Sequence, residues 1–323
     1  MNILITGATG YVGQHLIQHL DNKSMHCIYA VVRNPYDNDS VKKFSKRIHI
    51  IDSRDLPSLN YISIDLVVHL AAFLTSKDDM ESVRNVLDSN ILFGVDLLNS
   101  IKNHHNLSFI NFGTFAEYRT GTKHPDFAYF YAAAKHAYRS FLQYYAEKGN
   151  WSYIHLIPYT IYGGTNKQKK IIDYISDSLG AKTPIAMSPG EQILDFIHIS
   201  DVVDCISFMI DNKKNWMGQH GKVYHLGTGC GTSLRSIASM FEHISGKKCN
   251  IQWGGVPYRE QDVMYAVAPI DDLIRLGWRP KVDITTGVCK IIKSKQIVNF
   301  KLNLTGGGNF CFLASSVVCK EAA

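Results

Sequence analysis

The sequence contains no long hydrophobic run. No stretch approaches the roughly 20 consecutive apolar residues that a membrane-spanning helix requires, so we expect no membrane partner. The chain starts with the strand-like segment 2–6, without a charged leader or an apolar signal core. These absences predict a cytoplasmic protein.

An excess of charge of one sign is also missing. The 34 Lys and Arg residues are interleaved with 28 acidic residues, and the net charge of +6 forms no basic stripe. A nucleic-acid-binding protein normally has such a stripe, so we expect no nucleic-acid partner. The modest positive charge is better matched to a small phosphorylated ligand.

Cysteines at metal-binding or disulfide-framework spacing are absent as well. The chain has seven cysteines, an odd number, with no Cys-x-x-Cys pair and no cluster with histidine. We therefore expect free thiols and no metal site.

What the sequence does contain is an alternation of strand-like and helix-like segments. Strand-like segments lie at 3–6, 27–32, 48–51, 66–70, 109–112, 153–157 and 223–226, and helix-like segments at 12–20, 83–101, 131–147, 168–179, 202–210 and 234–244. This order predicts an α/β fold of the Rossmann type, with a doubly wound parallel sheet and a smaller C-terminal substrate-binding lobe.

The predicted domains follow from the same pattern. Residues 1–150 form the dinucleotide-binding domain, to which later elements return, and residues 151–287 form mainly the substrate lobe. Residues 288–323, with the run Gly306-Gly307-Gly308 and an apolar end, form a tail to which we assign no role.

A glycine motif follows the first predicted strand. In Gly7-Ala8-Thr9-Gly10-Tyr11-Val12-Gly13, the first glycine permits a tight turn, the second lets the backbone approach a pyrophosphate, and the third allows close helix–strand packing. The helix N-terminus then faces the negative charge. Since the motif joins a strand to a helix, it predicts a dinucleotide site rather than a purely structural turn.

The end of the second strand indicates which dinucleotide binds. NAD sites usually have an acidic residue there for the ribose 2′-hydroxyl, but this chain has Arg33-Asn34. Arg33 suits a 2′-phosphate, which favours NADPH over NADH, although a solvated arginine is the alternative. Asp52, after the third strand, is either an acceptor for the adenine amino group or an ordinary loop acid.

Tyr131 and Lys135 are four residues apart in a predicted helix, so both project from one face. A lysine ammonium close to a phenol lowers the phenol's pKa, and the tyrosine can then exchange a proton with a carbonyl group. Thr114 follows the strand-like segment 109–112, at the sheet edge where ligands bind, and its hydroxyl can orient a substrate oxygen. Taken alone, Tyr131 and Lys135 could be an ordinary pair on a solvent-exposed helix face. Thr114 could likewise be an ordinary turn residue at the end of a strand.

With these features, the chain resembles the extended short-chain dehydrogenases/reductases, the family of sugar-nucleotide epimerases, dehydratases and keto-reductases. The likeness covers about residues 1–285 and includes His69-Leu70-Ala71-Ala72, the helix residue Asn90, Tyr162-Gly163 and the segment 190–203. Within the family, the chain most resembles the CDP-abequose and CDP-paratose synthases, which reduce a 4-keto sugar with NADPH.

The resemblance implies roles for further residues. It implies catalysis by Thr114, Tyr131 and Lys135, with Tyr131 and Lys135 also contacting the cofactor. The other implied cofactor contacts are Gly7, Thr9, Gly10, Tyr11, Val12, Gly13, Arg33, Asp52, Leu70, Ala71, Ala72, Asn90 and Pro158. The implied substrate contacts are Phe73, Thr114, Tyr159 and Arg259, with Arg259 along the diphosphate.

Two departures from the family pattern bear on function. Family dehydratases have an Asp-Glu pair after the Ser/Thr, but Phe115 and Ala116 follow Thr114, which disfavours dehydration. Leu194 replaces the arginine that usually precedes the Asp-Phe pair of the second half.

We therefore predict an NADPH-dependent reductase, with NADH possible, that reduces the C4 ketone of a CDP- or dTDP-linked 6-deoxy or 3,6-dideoxy hexulose. An epimerase that retains its NAD is the alternative enzyme, and a non-catalytic nucleotide-binding regulator is the alternative of another class. The helices at 90–101 and 131–147 match the pair that commonly forms a dimer interface in this family, so we expect a homodimer.

Overall fold

The computed structural model describes residues 1–23, 26–37, 39–166 and 168–305; the predicted glycine run at 306–308 and the apolar end lie outside them. The strands are β1 Asn2–Thr6, β2 Cys27–Val32, β3 Ile48–Asp52, β4 Leu66–His69, β5 Ser108–Phe112, β6 Ser152–Pro158, β7 Thr160–Tyr162, β8 Ile185–Met187, β9 Ile193–His198, β10 His220–Leu226, β11 Gly231–Ser233, β12 Ile251–Trp253 and β13 Tyr265–Ala266. The α-helices are α1 Tyr11–Lys23, α2 Met80–Leu87, α3 Phe93–Ser100, α4 Phe130–Gly149, α5 Ile171–Ser178, α6 Ile199–Asp211, α7 Leu234–Ser245, α8 Asp271–Leu276 and α9 Ile284–Thr305.

Seven parallel strands form the main sheet, in the order β10-β6-β5-β4-β1-β2-β3. Strands β2 and β3 are added on one side of β1, and β4, β5, β6 and β10 on the other. The order of strands thus changes direction between β1 and β4, which is where doubly wound sheets bind their ligands. The predicted Rossmann-type α/β fold is confirmed.

Helices cover both faces of this sheet, which is why its central strands are apolar along their whole length. Every residue of β4 and β5 is buried. On one face, α1 packs beside α6 over residues such as Ile5 and Val68. On the other face, α3 and α4 cover Phe109, with Trp151 stacked on its ring at 6.5 Å between centroids. The buried sheet thus holds rigidly the strand ends that form the site.

Smaller sheets lie in the second half of the chain. Strand β9 pairs with β7, β11 and β13, and β12 pairs with β8. A separate apolar cluster here includes Phe196 and Phe241. Within the described ranges, no helix is both long and apolar enough to cross a bilayer.

Three elements differ from the sequence prediction. The predicted helix at 83–101 is interrupted by a π-helical turn at Asp88–Leu92, between α2 and α3. The helix predicted from 168 begins only at Ile171. Helix α9 runs through residue 288, where the sequence suggests that a tail begins, and Val288 in its first half is fully buried.

Candidate active site

A cleft of about 580 Å³ lies at the carboxyl ends of the main-sheet strands. Its volume is within the usual range for a site that binds a small molecule. The structure brings most of the sequence-predicted residues to it. Those that line it are Gly7, Thr9, Gly10, Tyr11, Val12, Gly13, Arg33, Leu70, Ala72, Phe73, Thr114, Tyr131, Lys135, Pro158 and Tyr159.

The glycine turn has no room for side chains at two positions. Gly7 has φ +67°, and a Cβ there would lie 2.7 Å from the backbone nitrogen of Ala71. A Cβ on Gly13 would overlap the Gly7 carbonyl oxygen and lie 2.8 Å from the Cα atom of Ala8. Gly10 is exposed, and its N–H donates to the Gly7 carbonyl at 2.9 Å, which closes the turn. The backbone at the start of α1 is therefore open to the cleft.

Arg33 and Asp52 end up in different surroundings. Arg33 is exposed at the end of β2, lines the cleft, and has no carboxylate partner among the described residues. Asp52 does not line the cleft, and its carboxylate binds the guanidinium of Arg54, with Nε 3.0 Å and Nη2 2.5 Å from its oxygens. The Asp52 side chain is thus engaged locally, and Arg33 remains available for a ligand.

Tyr131 and Lys135 lie one turn apart near the start of α4, and both are buried, at 7% and 2% exposure. Burial lowers the pKa of Lys135 to about 8, and the Glu117 carboxylate opposes that shift. Burial also raises the pKa of Tyr131 above its usual range, and Glu117 adds to the effect. The raised pKa of Tyr131 is opposite in direction to the lowering predicted from the sequence, because burial of the phenol is the largest cause.

Thr114 caps a short 3₁₀ turn, Phe115–Glu117, just beyond β5. Its Oγ1 accepts a hydrogen bond from the backbone N–H of Ala116 at 3.3 Å. A hydroxyl that accepts in this way retains its own hydrogen for donation. Thr114 can thus donate to a substrate oxygen in the cleft.

Besides Asp52, three predicted residues lie behind the cleft or outside it. Asn90 is buried and holds the loop after β4, with its amide oxygen accepting from Phe73 N–H at 2.7 Å and its amide nitrogen donating to Phe73 C=O at 3.1 Å. Ala71 supports the turn at Gly7 through its backbone, and its N–H donates to Thr6 Oγ1 at 3.2 Å. Arg259 does not line the cleft; it lies over the Tyr129 ring, 5.7 Å from the centroid.

The structure also adds residues to those predicted for the site. These are Gln14, Leu74, Phe112, Gly113, Phe115, Thr160, Ile161, Asn166, Gln168 and Lys170. The end of the strand-like segment 109–112 was a signal for Phe112, and the basic residues before α5 were a signal for Lys170. The described lining contains the cations Arg33, Lys135 and Lys170 and no carboxylate. Such a lining suits a ligand rich in phosphate.

Sequence comparison identifies the family. The model of the NAD dependent epimerase/dehydratase family matches residues 3–227. The chain belongs to this family. It is therefore a nicotinamide-dependent enzyme.

Curated relatives within the family include two bacterial CDP-abequose synthases. That of Salmonella typhimurium is 27% identical over 302 residues, covering 90% of this chain and 97% of the relative. That of Yersinia pseudotuberculosis is 28% identical over 265 residues, covering 82% and 91%. A putative UDP-glucose 4-epimerase of Methanocaldococcus jannaschii is 23% identical, covering 93% and 98%.

Among solved structures, the fold is similar to that of the UDP-glucuronic acid 4-epimerase from Bacillus cereus in complex with UDP-glucuronic acid and NAD. The TM-score is 0.80 at 24% identity, and the match covers 92% of this chain and all of that one. At this identity the likeness shows the shared fold.

The chain's own residues fit a nicotinamide dinucleotide. Gly7 and Gly13 let the turn pack directly against the backbone of Ala71 and Ala8, where a Cβ atom would clash, and the first turn of α1 then presents its backbone N–H groups to the cleft. Arg33 and Lys135 add positive charge at different points of the same cleft. These groups would hold a dinucleotide whose pyrophosphate lies at the start of α1.

Proposed function

We propose that the protein is an NADPH-dependent reductase of the C4 ketone of a nucleotide-linked 6-deoxy or 3,6-dideoxy hexulose. The observation that carries the proposal is the buried pair Tyr131 and Lys135, with Thr114, in a cleft whose described lining has three cations and no carboxylate. The cations suit the phosphates of both ligands. The acid needed for ketone reduction is then the Tyr131 phenol.

In the proposed reaction, Tyr131 donates its phenolic proton to the ketone oxygen as the carbonyl carbon becomes a secondary alcohol. The reduced nicotinamide, when bound, supplies the hydride for that carbon. Tyr131 regains its proton from solvent after each turnover. Because burial keeps the phenol protonated in the free protein, the residue starts the reaction in the form that a reduction requires.

Thr114 and Lys135 assist the proton transfer in different ways. The Thr114 hydroxyl donates to the ketone oxygen and fixes its distance from Tyr131. The Lys135 ammonium, one helical turn from Tyr131, offsets the negative charge left on the phenolate. Lys135 also contacts the dinucleotide ribose in this proposal.

Water elimination is disfavoured because it needs an acid and a base of its own. The nearest acidic residue along the chain after Thr114 is Glu117, which is fully buried, ion-paired with Arg139 and absent from the cleft lining. A carboxylate held in this way is unavailable to a sugar ring. Reduction or epimerisation, which need only the tyrosine, fit the site better.

The proposed sugar class rests on the CDP-abequose synthases, which match nearly the whole chain. The alternative is an NAD-retaining C4 epimerase, which is favoured by the match to the putative UDP-glucose 4-epimerase over 93% of the chain. An epimerase returns its hydride to the sugar and therefore consumes no reduced cofactor.

One experiment separates the two reactions. The protein is incubated with NADPH and a panel of CDP-, dTDP- and GDP-linked 4-keto sugars, while absorbance loss and product stereochemistry are followed. The reductase oxidises stoichiometric NADPH with at least one of them. Interconversion of UDP-sugars without NADPH oxidation, by protein purified with bound NAD, would replace the proposal with the epimerase.

We also propose that the protein is a homodimer. Helices α2 and α4 and the π-helical turn expose large apolar side chains, among them Leu87, Leu92, Phe141 and Tyr144. Exposed apolar residues gathered on adjacent helices are typical of an interface. Sedimentation at micromolar concentration should give twice the chain mass of 36.3 kDa, and a monomer would contradict the proposal.

A further inference from the structure

A fully buried carboxylate lies behind the proposed catalytic residues. Glu117 has 0% exposure and does not line the cleft. Its Oε1 accepts the backbone N–H of Thr114 at 2.8 Å, and its Oε2 lies 3.0 Å from His136 Nδ1. The same oxygen forms an ion pair with the guanidinium of Arg139. A buried carboxylate is tolerated only when it is paired and hydrogen-bonded, and Glu117 meets both conditions.

The partners of Glu117 come from the two elements that carry the proposed catalytic groups. Thr114 caps the short turn that follows β5, whereas His136 and Arg139 belong to α4, the helix of Tyr131 and Lys135. His136 directly follows Lys135 in sequence. Glu117 is therefore bonded to the backbone of one proposed catalytic residue and to the immediate neighbour of another.

We propose that Glu117 is a positioning residue of the active site, whose buried carboxylate joins the Thr114 turn to α4 and sets the charge around Lys135. The inference rests on the proposed roles of Thr114 and Lys135. It assigns Glu117 no contact with substrate or cofactor. Glu117 affects the reaction only by positioning Thr114 and by changing the charge around Lys135.

The charges around Lys135 determine how the removal of Glu117 would change the pKa of Lys135. Burial lowers the pKa of Lys135, Arg139 lowers it further, and only Glu117 among the causes acts in the opposite direction. The other titratable groups that face this cluster from neighbouring strands are His69 on β4, His155 on β6 and His225 on β10. Burial lowers the pKa of all three, so they stay neutral over the range in which Lys135 titrates.

The test is the pH dependence of NADPH binding, measured by fluorescence titration of Glu117→Gln, Glu117→Asp and the wild type. Glutamine keeps the size and the acceptor oxygen but removes the charge. We expect the alkaline loss of NADPH affinity to begin about one pH unit lower in Glu117→Gln, since removing a nearby opposite charge typically shifts a pKa by at least about that much. Glu117→Asp retains the charge and should restore the wild-type profile.

Asp201→Asn is the matched control. Asp201 is also a buried carboxylate, at 2% exposure, and accepts the backbone N–H groups of Lys281 and Val282 at 3.0 and 2.9 Å, but it does not line the cleft. Its loss should lower the melting temperature without moving the NADPH profile. An unchanged profile in folded Glu117→Gln, or an equal shift in Asp201→Asn, would overturn the inference.

A second pair of variants covers the case in which Glu117→Gln does not fold. Arg139→Gln and the double variant Glu117→Gln/Arg139→Gln differ only at residue 117, and the double variant removes both members of the buried Glu117–Arg139 ion pair, so neither is left without its partner. The double variant should lose NADPH affinity at lower pH than Arg139→Gln, and identical profiles would again overturn the inference. Since binding is measured without sugar, failure of the proposed reductase reaction would appear separately, as NADPH bound but not oxidised.

Discussion

Replacing Arg33 by alanine tests the proposed cofactor preference, because the proposed selectivity for NADPH over NADH rests on this residue. Arg33 lies at the end of β2, lines the cleft, and has no carboxylate partner among the described residues. In the proposed complex its guanidinium faces the ribose 2′-phosphate, which NADH lacks. Arg33→Ala should therefore weaken NADPH binding and leave NADH binding nearly unchanged.

The expected magnitude follows from the exposure of the side chain. A hydrogen bond to a charged group contributes about 1.5–3 kcal/mol. Because Arg33 is exposed, solvent screens the contact, and the lower end of that range is appropriate. A loss of about 1.5 kcal/mol corresponds to about a tenfold rise in the Kd for NADPH. The NADPH preference of the wild type should also shrink at high salt.

Fluorescence titration with both cofactors measures the two dissociation constants directly. Arg54→Ala is the matched control, since Arg54 is an exposed arginine near the neighbouring strand end whose guanidinium already binds Asp52. It should leave the ratio of the two constants unchanged. An equal loss of NADPH and NADH affinity in Arg33→Ala would show that Arg33 does not bind the 2′-phosphate. A tenfold loss of NADPH affinity in Arg54→Ala as well would show that the effect is not specific to Arg33.

Three further predictions concern Tyr131, Lys135 and Asn90. Tyr131→Phe should lower kcat by about 10²–10⁴-fold because the proton donor is lost, with little change in the Kd for NADPH; near-normal turnover would exclude Tyr131 as the acid. Since the pKa of Lys135 is lowered to about 8, the ammonium is present below that pH, and NADPH affinity should fall as the pH rises through it; a flat binding curve in the wild type would contradict this role. Asn90→Ala removes both bonds to the Phe73 backbone and should lower the free energy of unfolding by about 1–3 kcal/mol in denaturant titrations; unchanged stability would mean that the loop does not depend on Asn90.

The main sheet was predictable because its strands are buried on both faces. Such strands are continuous apolar runs, and the segments at 27–32 and 109–112 match the observed strands to within one residue. The glycine turn was predictable for a similar reason, since its three glycines are needed by backbone geometry within seven consecutive residues. Local sequence patterns were therefore sufficient to predict the glycine turn of the proposed dinucleotide site.

The unpredicted features depend on contacts that are distant in sequence. The π-helical turn includes Asn90, whose amide bonds the backbone of Phe73, 17 residues earlier. Glu117 follows Phe115-Ala116 in what looks like a surface loop, but Arg139, 22 residues later, makes its burial possible. Arg259 lies against Tyr129 rather than in the cleft, a position set by how the second half of the chain packs. No window of local sequence contains both partners of such a contact.

The replacement of the usual family arginine by Leu194 bears on where the cleft obtains its positive charge. Leu194 lies in register with Thr232 and Ala266 in the second sheet and packs against two apolar clusters, so this strand position contributes no cation. Lys170, just before α5, lines the cleft instead, and burial lowers its pKa, as expected for an ammonium partly removed from water. An anion placed beside Lys170 would offset that cost of burial. We therefore expect the start of α5, rather than β9, to supply the charge that faces a diphosphate in this part of the cleft.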